Sequence, residues 1–303
     1  MRLTTALVPL LFLSALSEAQ PQQAAAVHIV VTAEPHKGDT IPALNREDIQ
    51  VHSGNDRLQV ADFTPLQGDR GTLQLFILMD DSSSTSLGIQ LNDIRAFINA
   101  QPATTAVAIG YMRNGTVDTV QNFTNDHRQA AAKLRLPLGS IGASASPYFS
   151  LMDLIKRWPS GAPRREIVLM SDGIDRFGGN GPANPYVDQT VDQAQRAGIV
   201  IYTIYVSGVG HRGHSFWSVN WGQNYLSQIA EQTGGEAYFQ GFQTPVSLGP
   251  FLTQISQRLG RQYLLGFFPK PQAKPGFERI RLRTEVPNVD LAAQESVYVA
   301  GNK

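Results

Sequence analysis

From residue 71 to about 260 the hydrophobic positions of the chain switch repeatedly between two patterns. Leu73-Gln74-Leu75-Phe76-Ile77-Leu78-Met79 is a near-continuous apolar run, the mark of a strand covered on both faces, as in a parallel sheet. Leu87, Leu91, Ile94, Phe97 and Ile98 then recur at spacings of three and four, which places an apolar stripe along a helix. Residues 106–112 and 117–123 flank Asn114-Gly115, a hairpin signal that predicts one antiparallel pair at the sheet edge. Tyr148, Leu151, Met152, Ile155 and Trp158 form a further helical stripe ended by Pro159, and Ile167-Val168-Leu169-Met170 is another buried strand. Val187, Val191, Ala194 and Ala197 predict a helix stopped by Gly198, followed by a strand over 199–206. Tyr225, Leu226, Ile229 and Ala230 give one more helix, Ala237-Tyr238-Phe239 a strand, and Pro250 opens a last helix closed by Gly260. The expectation is an α/β fold: a doubly wound, mostly parallel six-stranded sheet.

The ends of the chain read differently. Val27-His28-Ile29-Val30-Val31 and Ile49-Gln50-Val51 are short strands in a β-rich segment, 27–68. After the central region, 71–260, Tyr263-Leu264-Leu265-Gly266-Phe267-Phe268 and Ile280-Arg281-Leu282-Arg283 are strands again, in a segment 261–300. The two flanks are expected to pair into one accessory β layer. Residues 1–19 read as a cleaved export signal: Arg2, an apolar run over 3–16, and the small-x-small triplet Ser17-Glu18-Ala19. Cleavage near Ala19 would leave a soluble product in the periplasm or outside the cell, because no later stretch has the apolar length of a membrane span. A buried N-terminal helix or an uncleaved anchor are the competing readings.

Composition narrows the chemistry. Charged residues are 17% of the 303, and Lys+Arg 25 balance Asp+Glu 25, so the broad positive field used in non-specific nucleic-acid binding is missing. Hydrophobic residues at 42% argue against disorder. Cys 0 excludes disulfides, thiolate zinc sites and thiol nucleophiles.

Oxygen ligands remain. The first buried strand ends in Asp80-Asp81-Ser82-Ser83-Ser84, so an Asp-x-Ser-x-Ser stretch falls at the carboxyl end of a parallel strand, where ligands bind in such sheets. A later strand ends in Ser171-Asp172-Gly173 and brings a second carboxylate to the same edge, while Ser144-Ala145-Ser146-Pro147 adds hydroxyls from a loop between them. Two carboxylates with hydroxyls and no His or Cys suit a hard cation, Mg²⁺ or Mn²⁺. The bland alternative is that Ser82 and Ser84 cap a helix while Asp80 accepts from backbone N–H groups.

These residues resemble the metal-ion-dependent adhesion site of the von Willebrand factor type A domain. Asp80, Ser82 and Ser84 match its Asp-x-Ser-x-Ser, Asp172 matches its Thr/Ser-Asp-Gly, and the family's intermediate threonine falls on Ser146, with Ser144 as the alternative. More narrowly, Leu44-Asn45-Arg46-Glu47-Asp48-Ile49 and Gln262-Tyr263-Leu264-Leu265-Gly266-Phe267-Phe268-Pro269 resemble the flanks of an exported VWFA-related family abundant in acidobacteria. The resemblance implies a binding protein rather than an enzyme, recognising an Asp or Glu of a protein or cell-surface partner through a cation held by Asp80, Ser82, Ser84, Ser146 and Asp172. A metal-dependent hydrolase using the same oxygens and a metal-free scaffold are the alternatives; the oligomeric state is left open.

Other candidates are weaker. Asp81 and Asp175, beside the motif carboxylates, are expected to be solvated loop acids, the alternative being that they support the ligands from behind or contact a partner. Gly208-Val209-Gly210-His211-Arg212-Gly213 matches Gly-x-Gly-x-x-Gly formally, but no helix follows it directly, and His211 and His214 have no evident third zinc ligand. Residues 207–222 are expected to form a long aromatic loop in which Phe216 and Trp217 either anchor a partner or fold back over the sheet.

Overall fold

The computed structural model describes residues 25–38, 40–142, 145–159, 164–177, 181 and 183–301. The expected export signal, 1–19, and Ser144 lie outside the described residues. Four strands open the described chain: β1 (Val27–Pro35), β2 (Ile49–Ser53), β3 (Asp56–Leu58) and β4 (Val60–Pro65). The central layer follows as β5 (Leu73–Asp80), α1 (Leu91–Asn99), β6 (Thr105–Arg113), β7 (Thr116–Thr124), α2 (His127–Ala131), α3 (Pro147–Arg157), β8 (Arg165–Ser171), α4 (Pro185–Ala197), β9 (Ile199–Tyr205), α5 (Phe216–Thr233), β10 (Ala237–Tyr238) and α6 (Gly249–Leu259). The chain then returns through β11 (Gln262–Phe267), β12 (Gly276–Arg279), β13 (Arg281–Thr284), β14 (Val289–Ala293) and β15 (Ser296–Val299).

The central sheet has the order β10-β9-β8-β5-β6-β7. Every neighbouring pair is parallel except β6 with β7, joined through Asn114 and Gly115 at φ 53° and 73° as a tight hairpin with left-handed central residues requires. The apolar run of β5 explains the double winding. Leu73, Leu75, Ile77 and Met79 point to a core shared with Ile94, Phe97 and Ile98 of α1 and Leu252 and Ile255 of α6. Phe76 and Leu78 point to the opposite core, with Tyr148 and Leu151 of α3, Val191 of α4 and Leu226 and Ile229 of α5. Both faces of one strand are therefore buried by helices, as the sequence pattern predicts.

The flanking segments build the further β layer. Its main sheet, β14-β1-β11-β4, is antiparallel throughout and interleaves strands from both ends of the chain. Val30 faces the central layer, while Ile29 and Val31 meet Ile49, Val51, Val297 and Val299 of the two small sheets β13-β2-β3 and β12-β15. The pleat again serves two cores with one strand.

A buried polar junction joins the layers at the edge where β5 and β8 begin. Arg164 Nε donates to Glu166 Oε1 at 2.8 Å, and Arg164 Nη2 to the Leu259 carbonyl at 2.6 Å. Gln262 of β11, with no exposed surface, donates to Tyr202 Oη at 3.0 Å and lies 3.3 Å from Glu166 Oε2. Nearby, Arg258 pairs with Glu34 at 2.6 Å and Glu236 at 3.1 Å, tying α6 to β1.

One expectation needs correction: 207–222 is not a single loop. A short 3-10 turn covers His211–His214, and α5 starts at Phe216, its first turn closed by Val219 N–H donating to the Ser215 carbonyl at 2.9 Å. The stripe that starts at Tyr225 begins two turns into the helix, because Asn220, Gly222 and Gln223 break the apolar spacing without breaking the helix. Likewise Leu87 precedes α1, in a 3-10 segment over Thr85–Gln90. Among the described residues no helix is long and apolar enough to cross a membrane.

The junction gives a stability test. Glu166→Ala leaves Arg164 buried without its counter-ion and should cost about 3–5 kcal/mol, read as a lowered urea midpoint at unchanged slope.

Candidate functional site

Adjacent parallel strands β5 and β8 pair Met79 with Met170, so their last residues and the turns beyond them arrive together at the carboxyl edge of the sheet. This is the topological switch point: β5 is followed on one side by β6 and on the other by β8. Asp80 continues the Phe76 and Leu78 face. Its Oδ1 accepts from the Ser82 N–H at 2.8 Å and the Ser82 hydroxyl at 2.7 Å, and its Oδ2 from the Ser171 hydroxyl at 2.7 Å. Asp80 is only 6% exposed, and burial raises its pKa in spite of these bonds.

Asp172 stands one residue beyond β8 and is 1% exposed. Its Oδ1 accepts from the Ile174 N–H at 2.9 Å, and its Oδ2 lies 2.7 Å from Arg176 Nη2. Burial first, and then the charge of Asp80, push its carboxyl up to about 7, against the opposing pull of Arg176. Gly208 presses on the same group: a Cβ there would sit 1.8 Å from Asp172 Oδ2. The Gly208 segment is stitched to the Asp80 loop by Ser84 N–H to Ser207 O and Val209 N–H to Ser82 O, both at 2.9 Å. The glycine-rich stretch thus contributes close backbone approach to a carboxylate.

Of the expected ligands, Asp80, Ser82 and Ser146 line one cleft, together with Asn114, Gly142 and Ile174. Ser146 is buried at the N-terminus of α3, ahead of Pro147, where its hydroxyl accepts from Phe149 N–H at 3.4 Å. Ser84 is not in the cleft lining. Its hydroxyl oxygen accepts from the N–H and the hydroxyl of Ser86, at 3.3 and 2.9 Å, and so caps the 3-10 segment. Asp172 also lies outside that lining, yet close enough to Asp80 for the Asp80 charge to raise its pKa.

Asp81 and Asp175 are not solvated loop acids; both are buried. Asp81 meets both terminal nitrogens of Arg135, at 2.6 and 2.9 Å, and that guanidinium stacks 3.6 Å over the Tyr111 ring. Asp175 accepts from Phe177 N–H and from Asn184 Nδ2, each at 2.9 Å. Donors supplied by other segments replace water around both. Two participants were missed in the sequence: Ser171, whose hydroxyl fixes Asp80, and Arg176. The available signals were the residue before Asp172 and the basic residue four positions after it.

Among the described residues no group of three or more His, Cys, Asp and Glu is placed to ligate a metal, so a cation here would draw most of its ligands from hydroxyl, carbonyl and water oxygen. His211 and His214 are exposed. Phe216 and Trp217 stand out from the surface, Trp217 at 70% exposure, and Phe216 packs edge-on against exposed Phe242 with ring centroids 5.3 Å apart.

No family model matches the chain, and no curated protein matches it. Solved structures similar to it include an aerotolerance-related membrane protein from Bacteroides fragilis, at 14% identity and TM-score 0.44, covering 62% of this chain and 98% of that one. The SpRpn10 VWA domain is similar at 11% identity and TM-score 0.41, over 62% and 98%. Proximal thread matrix protein 1 from the mussel byssus is similar at 15% identity and TM-score 0.44, over 73% of this chain and 50% of that one. The chain's own sheet order, one antiparallel edge strand and helices on both faces make the central layer the doubly wound, mostly parallel six-stranded α/β fold expected from the sequence.

Proposed function

We propose that the chain is a binding module that holds Mg²⁺ or Mn²⁺ at the ends of β5 and β8 and, through that ion, takes an Asp or Glu carboxylate of a protein or surface partner. The observation that carries this reading is the burial of Asp80 and Asp172 at one sheet edge, where burial first and the charge of Asp80 second raise the Asp172 carboxyl to about 7. Groups so arranged favour a proton or a cation in common. A divalent ion supplies two positive charges there and leaves coordination positions for a ligand oxygen. Asp80 and Asp172 would supply the negative charge, Ser82 and Ser146 the neutral oxygens of the cleft, and Ser84 would have to give up its capping bonds to join them. The apolar surface at Phe216, Trp217 and Phe242 supports a protein partner, since exposed aromatics serve as anchors at interfaces. Export through residues 1–19 belongs to the same reading.

A hydrolase is the weaker reading. Among the described residues the cleft lining holds no His, Lys or Glu to act as general acid or base, although Arg113 contributes a positive charge.

Two measurements test the proposal. Calorimetric titration with Mg²⁺ and Mn²⁺ should give saturable binding to the wild-type chain and a Kd weakened by about tenfold or more in Asp80→Ala; heats absent from both proteins would refute it. The second is pH dependence. Asp172 holds its proton more tightly folded, at about 7, than at its ordinary value of 3.8. Its contribution is therefore fully present below pH 4 and is lost as pH rises to 7 and above. In EDTA, denaturation midpoints should fall across that range more steeply for wild type than for Asp172→Asn, and saturating Mg²⁺ should flatten the wild-type slope.

A further inference from the structure

The two arginines near the site are held in opposite ways. Arg135 meets Asp81 with two nitrogens, donates also to the Leu136 carbonyl at 2.9 Å, and lies flat on Tyr111. Both terminal nitrogens of its planar fork are engaged, as in a fixed structural pair. Arg176 meets Asp172 through Nη2 alone. Its side chain is 7% exposed, yet Nε and Nη1 are buried with no hydrogen-bond partner among the described residues. A buried guanidinium with two nitrogens unsatisfied is poorly accommodated. Charge keeps it there, and fit does not.

The surroundings confine this contact. Arg176 N–H donates to the Ala145 carbonyl at 3.0 Å, which ties its backbone to the segment leading into Ser146. On the other side a Cβ on Gly208 would lie 1.8 Å from Asp172 Oδ2 and 2.8 Å from Arg176 Nη2, so carboxylate and guanidinium share one tight space against the Gly208 backbone. With both carboxylates ionised, they and Arg176 sum to a single negative charge. A divalent ion taken up by the Asp172 carboxylate would sit beside a guanidinium in a volume with little water to screen the two positive charges.

We propose that Arg176 is a built-in competitor for the cation: its guanidinium and the divalent ion contend for the Asp172 carboxylate, so that binding the ion opens the Arg176–Asp172 pair and Arg176 sets the affinity of the site. This rests on the cation reading above and adds its regulation. The competition raises the apparent Kd by an amount set by the fraction of molecules in which the pair is closed.

The test uses the full chain as wild type, Arg176→Gln and Arg176→Lys. The glutamine keeps a donor and removes the charge; the lysine keeps the charge. In Mg²⁺ titrations Arg176→Gln should bind about tenfold or more tighter than wild type, while Arg176→Lys stays within about threefold of it. In EDTA Arg176→Gln should melt below wild type, and saturating Mg²⁺ should raise its Tm by more. Should Arg176→Gln fail to fold, the wild-type protein carries the test with Arg176→Lys as reference: the Arg176 Nε–H resonance, assigned by its loss in Arg176→Lys, should shift on saturation with Mg²⁺. Equal or weaker binding by Arg176→Gln, or an Nε–H signal unmoved at saturation, overturns the competitor while wild-type binding leaves the cation reading in place. Absence of binding in wild type and Arg176→Gln alike overturns both. Binding by Arg176→Gln alone supports the competitor in its strongest form.

Discussion

Two carboxylates buried side by side are the constraint to which the rest of the site answers. Parallel pairing of β5 with β8 brings Asp80 and Asp172 to one edge, and neither has water enough to stabilise its charge. The polar groups bonded to them supply positive charge or a donor: the Ser82 N–H and hydroxyl, the Ser171 hydroxyl, the Ile174 N–H and Arg176. Gly208 brings its backbone so close to the Asp172 carboxylate that a side chain there would collide with it. The sheet creates an electrostatic problem at its edge, and the loops are arranged as partial solutions to it.

The fold was largely legible from periodicity, because burial on both faces leaves a signature that polar surface cannot imitate. The 73–79 run and the helical stripes at 148–158 and 187–197 correspond to β5, α3 and α4 with little drift. The 207–222 segment was misread where small polar residues occupy a helix face without interrupting its backbone hydrogen bonds. Charge was harder to read than hydrophobicity. Asp81 and Asp175 looked like solvent-facing loop acids, and only the arrival of Arg135 from 54 positions away and Asn184 from nine reveals them as buried. Local sequence carries no record of such distant donors.

The positions of the candidate ligands were easier to read than their engagements. A serine hydroxyl after a strand can cap a turn or face a ligand, and the same residue type serves both uses. Ser84 caps, Ser146 caps while also lining the cleft, and Ser82 bonds Asp80. Spacing alone does not separate these states, since hydroxyl rotation and not residue identity distinguishes them. Arg176 went unnoticed for a related reason. The spacing of Asp172 and Arg176 shows nothing of the two buried nitrogens that the arginine leaves unused.

The pairing of β4 with β11 has a topological consequence. Pro65 and Tyr263 lie opposite each other in that ladder, so the chain enters and leaves the central layer through adjacent antiparallel strands. The whole layer is a closed loop, clasped at its base by hydrogen bonds in a protein with no cysteine to form a covalent clasp. Closing so long a segment carries an entropic cost that grows only as the logarithm of its length. One short ladder therefore suffices to hold it, and the central layer resembles an insertion, a unit whose ends meet and whose connectivity could be circularly permuted at the opposite edge without parting the strands that keep it shut.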